Sequence, residues 1–114
     1  AIAKSKTLLA SKRSQLHNSV AILWEESQHK NTFTDEQLAD VWAASCEAVK
    51  EAKCMLSEIY AVAGTSSLYQ KYKIERAHRD IHAISQHGII QPHWMDQAGM
   101  AYVGIKPTGA MFRT

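Results

Sequence analysis

The sequence predicts an all-α protein, an antiparallel helical bundle, and three observations carry that reading. Apolar residues recur every three, four or seven positions through otherwise polar sequence. A long run, 35–63, keeps a helical pattern and opens on a capping signal. Alternating strand patterns, internal repeats and low-complexity tracts are absent.

The first element, predicted over 2–29, takes its apolar positions from Ile2, Leu8 or Leu9, Leu16, Val20, and Leu23 with Trp24. It should stop between His29 and Thr32, where the periodicity lapses and Asn31 offers a terminating residue. Thr34 followed by Gln37 then has the form of a capping box, and Asp35 and Glu36 suit the positive end of a helix. That helix, 35–63, continues through Leu38, Val41, Trp42, Val49, Leu56 and Ile59 until Gly64. At about 1.5 Å per residue it is roughly 44 Å long and needs lateral partners, because propensity alone leaves such a rod marginal.

Gly64, Thr65, Ser66 and Ser67 read as a polar connection, and Leu68 to Lys73 as its irregular continuation. A third helix is expected over 74–90, ended by Pro92, and a short one over 93–103, broken by Gly104 and Pro107. The tail from Thr108 is small and polar and is expected to fray. Short connections return each helix along its predecessor, which leaves a four-helix bundle one wall short: a partial or partner-completed domain.

Composition narrows the function. The net charge is +2, from 13 Lys and Arg against 11 Asp and Glu, too balanced to direct the chain onto nucleic acid. No apolar run approaches the roughly 20 residues needed to cross a bilayer, and Ala1 to Lys12 lacks the form of a signal peptide. Cys46 and Cys54 are too far apart on one rod to bridge, and two lone thiols suit a reducing, cytoplasmic compartment.

The segment from Ala63 to Trp94 concentrates the chemistry. Arg76, Arg79 and Asp80 read either as a salt-bridge lattice between helices or as an anion site, since guanidinium groups hold carboxylate or phosphate with directed bonds. His78 and His82 share a helical face, but no Glu lies between them as a zinc hydrolase requires, so no metal site is expected. His82 and His87 are each candidate titratable groups of a pocket.

AGTSSLY (Ala63–Tyr69), ERAHRD (Glu75–Asp80), HAISQH (His82–His87) and GMAYVGI (Gly99–Ile105) together resemble the C-terminal helical domain of the acyl-CoA dehydrogenase superfamily. Within it, they are most similar to the branch of two-component flavin-dependent monooxygenases. The resemblance implies a C-terminal four-helix bundle that assembles dimers or tetramers. It also implies FMN or FAD held between this domain, a central β domain and a neighbouring subunit, with reduced flavin supplied by a separate reductase in some members. The chain then reads as part of a larger flavoenzyme, lacking its N-terminal and central domains and binding no flavin tightly by itself.

Ordinary acyl-CoA dehydrogenases place a catalytic Glu shortly after the matched Arg-Asp pair, where this chain has Gln86, His87, Gly88 and Ile89. The resemblance implies that His87 approaches flavin and substrate, as a donor to the reacting oxygen or to the acceptor ring. His82 is the second catalytic candidate. Gly64, Thr65, Ser66 and Ser67 match a loop near the cofactor's phosphate end, and Arg76, Arg79 and Asp80 are implied to be structural or intersubunit. The alternatives are a non-catalytic helical oligomerisation or interaction module, and a dehydrogenase with a displaced base.

Overall fold

The computed structural model describes residues 2–29, 32–63, 68–109 and 112. Four α-helices follow in order: α1 (Ile2–Ser27), α2 (Asp35–Ala63), α3 (Leu68–Ile84) and α4 (Pro92–Tyr102), with a 3₁₀ turn at Gly88–Ile90 between the last two. The fold is the expected all-α bundle. The polar loop 64–67 lies outside the described residues.

The α2 helix forms because its start is satisfied from both sides. Thr34 Oγ1 accepts from the Gln37 amide at 3.1 Å, and Gln37 Oε1 accepts from the Thr34 amide at 3.0 Å, so the anticipated capping box is present. All three other helices pack against this rod. From Val41 to Val49 no residue is fully exposed, as expected of a helix with neighbours on several sides.

The α1 helix runs antiparallel to α2, its start near Met55 and Ile59 and its end at Leu23 against the Leu38 cluster. The contacts of α3 descend α2 in the opposite sense, with Glu75 at Tyr60 and His78 at Ser57. Those of α4 continue the descent, with Trp94 at Trp42 and Tyr102 at Asp40. Thus α3 and α4 follow one another along α2 and act as one interrupted rod, giving a body of 53 × 25 × 20 Å.

Three expectations need correction. The third helix, expected over 74–90, is Leu68–Ile84. Leu68 to Lys73 contains no glycine or proline and includes good helix formers, so it joins the helix. The helix ends early because Ser85 Oγ bonds the His82 carbonyl at 2.7 Å while the Gln86 and His87 amides close tight turns onto Ala83 and Ile84. The short helix, expected over 93–103, starts one residue sooner because Pro92 occupies its first turn.

The second correction concerns α1. Its apolar residues do not share one face. Leu8, Leu16 and Leu23 turn inward with the buried Ser5 and Ser19, whereas Ile2, Leu9, Val20 and Trp24 are exposed, Trp24 at 71%. At roughly 100° per residue the exposed four fall within about 60° of one another, forming a second stripe beside the inward face. Small serines on the inward side permit close approach, and Ser19 returns its hydroxyl to the Gln15 carbonyl at 2.6 Å.

The third correction is the tail. Gly104, at φ 83°, ends α4 in a left-handed cap, with the Ile105 amide bonded to the Met100 carbonyl at 2.8 Å. The chain then folds back. Lys106 Nζ meets Asp35 at 2.9 Å, and Gln97 Oε1 accepts the amides of Thr108 and Gly109. A side chain at Gly109 would meet Trp94 at 2.6 Å, so only glycine permits this approach. Phe112, 1% exposed, enters the cluster of Leu38, Ala39 and Ala98. One aromatic ring anchors a segment whose composition otherwise suggests fraying. Among the described residues no helix is long and apolar enough to cross a membrane.

Two outcomes follow from this packing. Phe112→Ala should cost about 3 kcal/mol in urea unfolding, near the lower end for a buried aromatic because the tail can relax; a loss below about 0.5 kcal/mol would show that the tail is not part of the core. Burial, then the bond and charge of Asp40 and the charge of Glu36, hold the Tyr102 hydroxyl well above its ordinary pKa. A raised folded-state pKa stabilises below the unfolded value of about 10 and loses that contribution as pH rises through the folded one. The stability advantage of wild type over Tyr102→Phe should therefore shrink as pH rises beyond about 10, measured by thermal unfolding.

Candidate functional site

The break between α3 and α4 sets the site. Because α3 ends at Ile84, His87 stands on the turn between two helices, exposed, rather than on a helix end as the sequence suggests. The turn is held from behind. Gln91 Nε2 donates to the carbonyls of Ser85 and His87 at 3.2 and 3.0 Å, and Trp94 Nε1 donates to that of Gly88 at 2.7 Å. The Ile90 amide closes onto the His87 carbonyl at 3.0 Å. These bonds satisfy backbone acceptors that a helix end leaves open, and Pro92 starts the next helix immediately behind them.

In front of the turn, Ala83, Ile84, Gln86, His87 and Ile90 line a shallow, mainly apolar shelf. On its other side a cleft of about 430 Å³ separates α2 from the start of α4. Val49, Ile90 and Met95 give it apolar walls, with Lys50 and Lys53 among its polar lining. Cys46 also lines it; burial, then Glu47, pushes this thiol's pKa up, so it stays protonated and unreactive at neutral pH.

His82 belongs to a different group from the His87 shelf. Its Nε2 lies 3.2 Å from His78 Nε2, and His78 stacks on the Tyr60 ring at 5.0 Å between centroids. Tyr60 in turn donates to Glu75 at 3.3 Å. Desolvation, then His78 and Lys53, hold His82 below its ordinary pKa, so the ring is neutral at pH 7. Arg76 and Asp80 approach to 3.9 Å on the solvent face, an exposed pair of small energetic weight, and Arg79 is exposed beside them. The cofactor-loop candidates Gly64, Thr65, Ser66 and Ser67 lie outside the described residues.

Sequence reasoning missed Gln91 and Trp94 as the holders of the turn, and the cleft behind it. The available signal was Gln91 before Pro92: a helix start without the usual Ser, Thr, Asp or Asn, which leaves the amide free for the preceding turn.

Residues 1–92 match the acyl-CoA dehydrogenase, C-terminal domain family, and the chain belongs to that family. Among curated proteins it is similar to an indole-3-acetate monooxygenase of Acinetobacter baumannii, 23% identical over 95 residues. That alignment takes in 83% of this chain and 24% of the relative, so the chain spans about a quarter of the protein it matches. No solved structure matches it significantly.

Proposed function

We propose that this chain is the C-terminal assembly and flavin-site domain of a flavin-dependent monooxygenase-like oxidoreductase. The observation that carries the reading is the His87 turn: an imidazole displayed beside an apolar shelf, held by Gln91 and Trp94, where dehydrogenase relatives would have a carboxylate. An apolar shelf with one imidazole at its edge fits one wall of a flat conjugated ring. The shelf is open, so its other wall belongs to the central domain or a neighbouring subunit. The similarity to a monooxygenase supports this branch.

Bound FMN or FAD, supplied reduced by a separate reductase, would contribute the two-electron reduction of oxygen. The part of this chain is narrower. His87 donates a directed hydrogen bond to the oxygen or acceptor ring on which charge develops, and Ile84 and Ile90 exclude water from that face. Gly64 to Ser67 match the loop that in the family lies near the phosphate end of the cofactor, and Arg79 would face a partner subunit. His82 sits with His78 and supports the helix rather than the chemistry.

A second reading, a non-catalytic oligomerisation module, is favoured by one observation. The exposed stripe of Ile2, Leu9, Val20 and Trp24 borders an apolar groove between α1 and α2, lined by Ala52, Met55, Leu56 and Ile59. Such a surface suits a symmetric helical contact that completes the bundle. Both readings share this interface, and the behaviour of His87 separates them.

Sedimentation equilibrium over a wide concentration range should give a dimer or larger species that Trp24→Glu dissociates; a monomer throughout would defeat the assembly claim. In the enzyme that carries this domain, His87→Ala should slow oxygen transfer on the order of 10²-fold, with thermal stability and flavin affinity little changed. Single-turnover oxidation from pre-reduced flavin reads the first quantity and thermal unfolding the second. An unchanged rate would leave the oligomerisation reading standing.

A further inference from the structure

Away from the His87 shelf, the face that α3 turns toward α2 carries two imidazoles whose Nε2 atoms are 3.2 Å apart. They lie one helical turn apart on a single rod, the spacing at which two side chains converge. Two imidazole nitrogens bound to one ion at about 2.0–2.1 Å are themselves roughly 2.9–3.4 Å apart for ligand angles between square and tetrahedral. The observed separation falls inside that range with no movement of the backbone.

We propose that His78 and His82 form a two-nitrogen site for a borderline divalent transition-metal ion of the Cu²⁺, Ni²⁺ and Zn²⁺ class. Imidazole suits these ions, and Cu²⁺ stands highest among them in intrinsic affinity. Two further features organise the donors. The Tyr60 ring stacks on His78 with the planes 26° apart and fixes its orientation, while the Tyr60 hydroxyl is tied to Glu75. Ser57 Oγ lies 3.5 Å from His78 Nε2 and is placed to hydrogen-bond a water on the ion.

Both rings are only part-buried, so solvent completes the coordination. Without metal, one imidazole donates its Nε2 proton to the other. On binding, that proton shifts to Nδ1 of the same ring, and both Nε2 lone pairs face the ion. Among the described residues there is no group of three or more His, Cys, Asp or Glu side chains that could hold a metal. The site is therefore a clip across one turn of α3 rather than a hydrolytic or structural zinc centre. Lys53, close enough to lower the His82 pKa, opposes the cation and keeps the affinity moderate.

The test uses the whole chain with Cys54→Ser, which removes the exposed thiol as a competing ligand. Zinc chloride added to ¹⁵N-labelled protein should shift the Nε2 resonances of His78 and His82 and leave those of His17, His29 and His93 in place. Calorimetry with Cu²⁺ should give one ion per chain, weakened at least tenfold in His82→Gln and in His78→Gln and unchanged in His29→Gln. The resonance shifts need no histidine variant, so misfolding of either substituted protein does not blunt the test. Shifts confined to other histidines, affinity indifferent to both substitutions, or no binding below millimolar metal would each reduce the pair to a hydrogen bond between two rings.

Discussion

Everything in this bundle depends on covering α2. A helix of 29 residues, about 44 Å long, presents apolar groups around much of its circumference and is marginal without neighbours. On one side the 26 residues of α1 nearly match its length. On the other, α3 has 17 residues and reaches only about 26 Å, so the chain must turn and resume as α4 to cover the rest. The break that carries His87 is therefore a consequence of length: it falls where the first covering helix ends along the rod. The tail then closes the remaining end by placing Phe112 on Leu38 and Ala39 and Lys106 on Asp35.

The legible parts of this arrangement were those written in local pattern. The capping box at Thr34 and Gln37 is a short-range signal, and it placed the start of α2 correctly. The all-α class followed from periodicity, which needs no knowledge of partners. What periodicity could not separate were two apolar stripes on one helix: Leu16 and Leu23 face α2, while Val20 and Trp24 do not, although all four fit a spacing of three and four. Only the position of α2 distinguishes them. Phe112 was hidden for the opposite reason, since a single aromatic in a small polar tail makes no period at all.

The site was legible by residue type but not by grouping. His78, His82 and His87 all stood out in the sequence, and helical spacing predicted that the first two share a face, as they do. The association of His82 with His87 assumed a helix continuing past residue 87. The early end of α3 divides them, leaving His82 with Tyr60 and His78 at the α2 seam and His87 on the turn. Gln91 and Trp94 bond backbone carbonyls whose placement depends on where α3 ends, so of the two only Gln91, an unusual helix start before Pro92, left a trace in the sequence.

How firmly that turn holds His87 can be weighed. Ordering the backbone of one residue costs about 1–2 kcal/mol, and a typical hydrogen bond returns about 0.5–1.5 kcal/mol net. Three side-chain bonds from Gln91 and Trp94, with Pro92 restricting the chain immediately beyond, are thus comparable to the cost of fixing the two or three residues around His87. The balance orders the turn without a surplus. On the proposed function, in which His87 meets a developing charge, the donor needs that surplus, and a cover over the shelf of Ile84 and Ile90 would supply it. A partner that covered those side chains would also pack against the turn, so completing the apolar wall and immobilising the imidazole would be one event. On that reading the shelf and the exposed stripe on α1 are the same kind of feature: apolar surface that the packing within the chain leaves open.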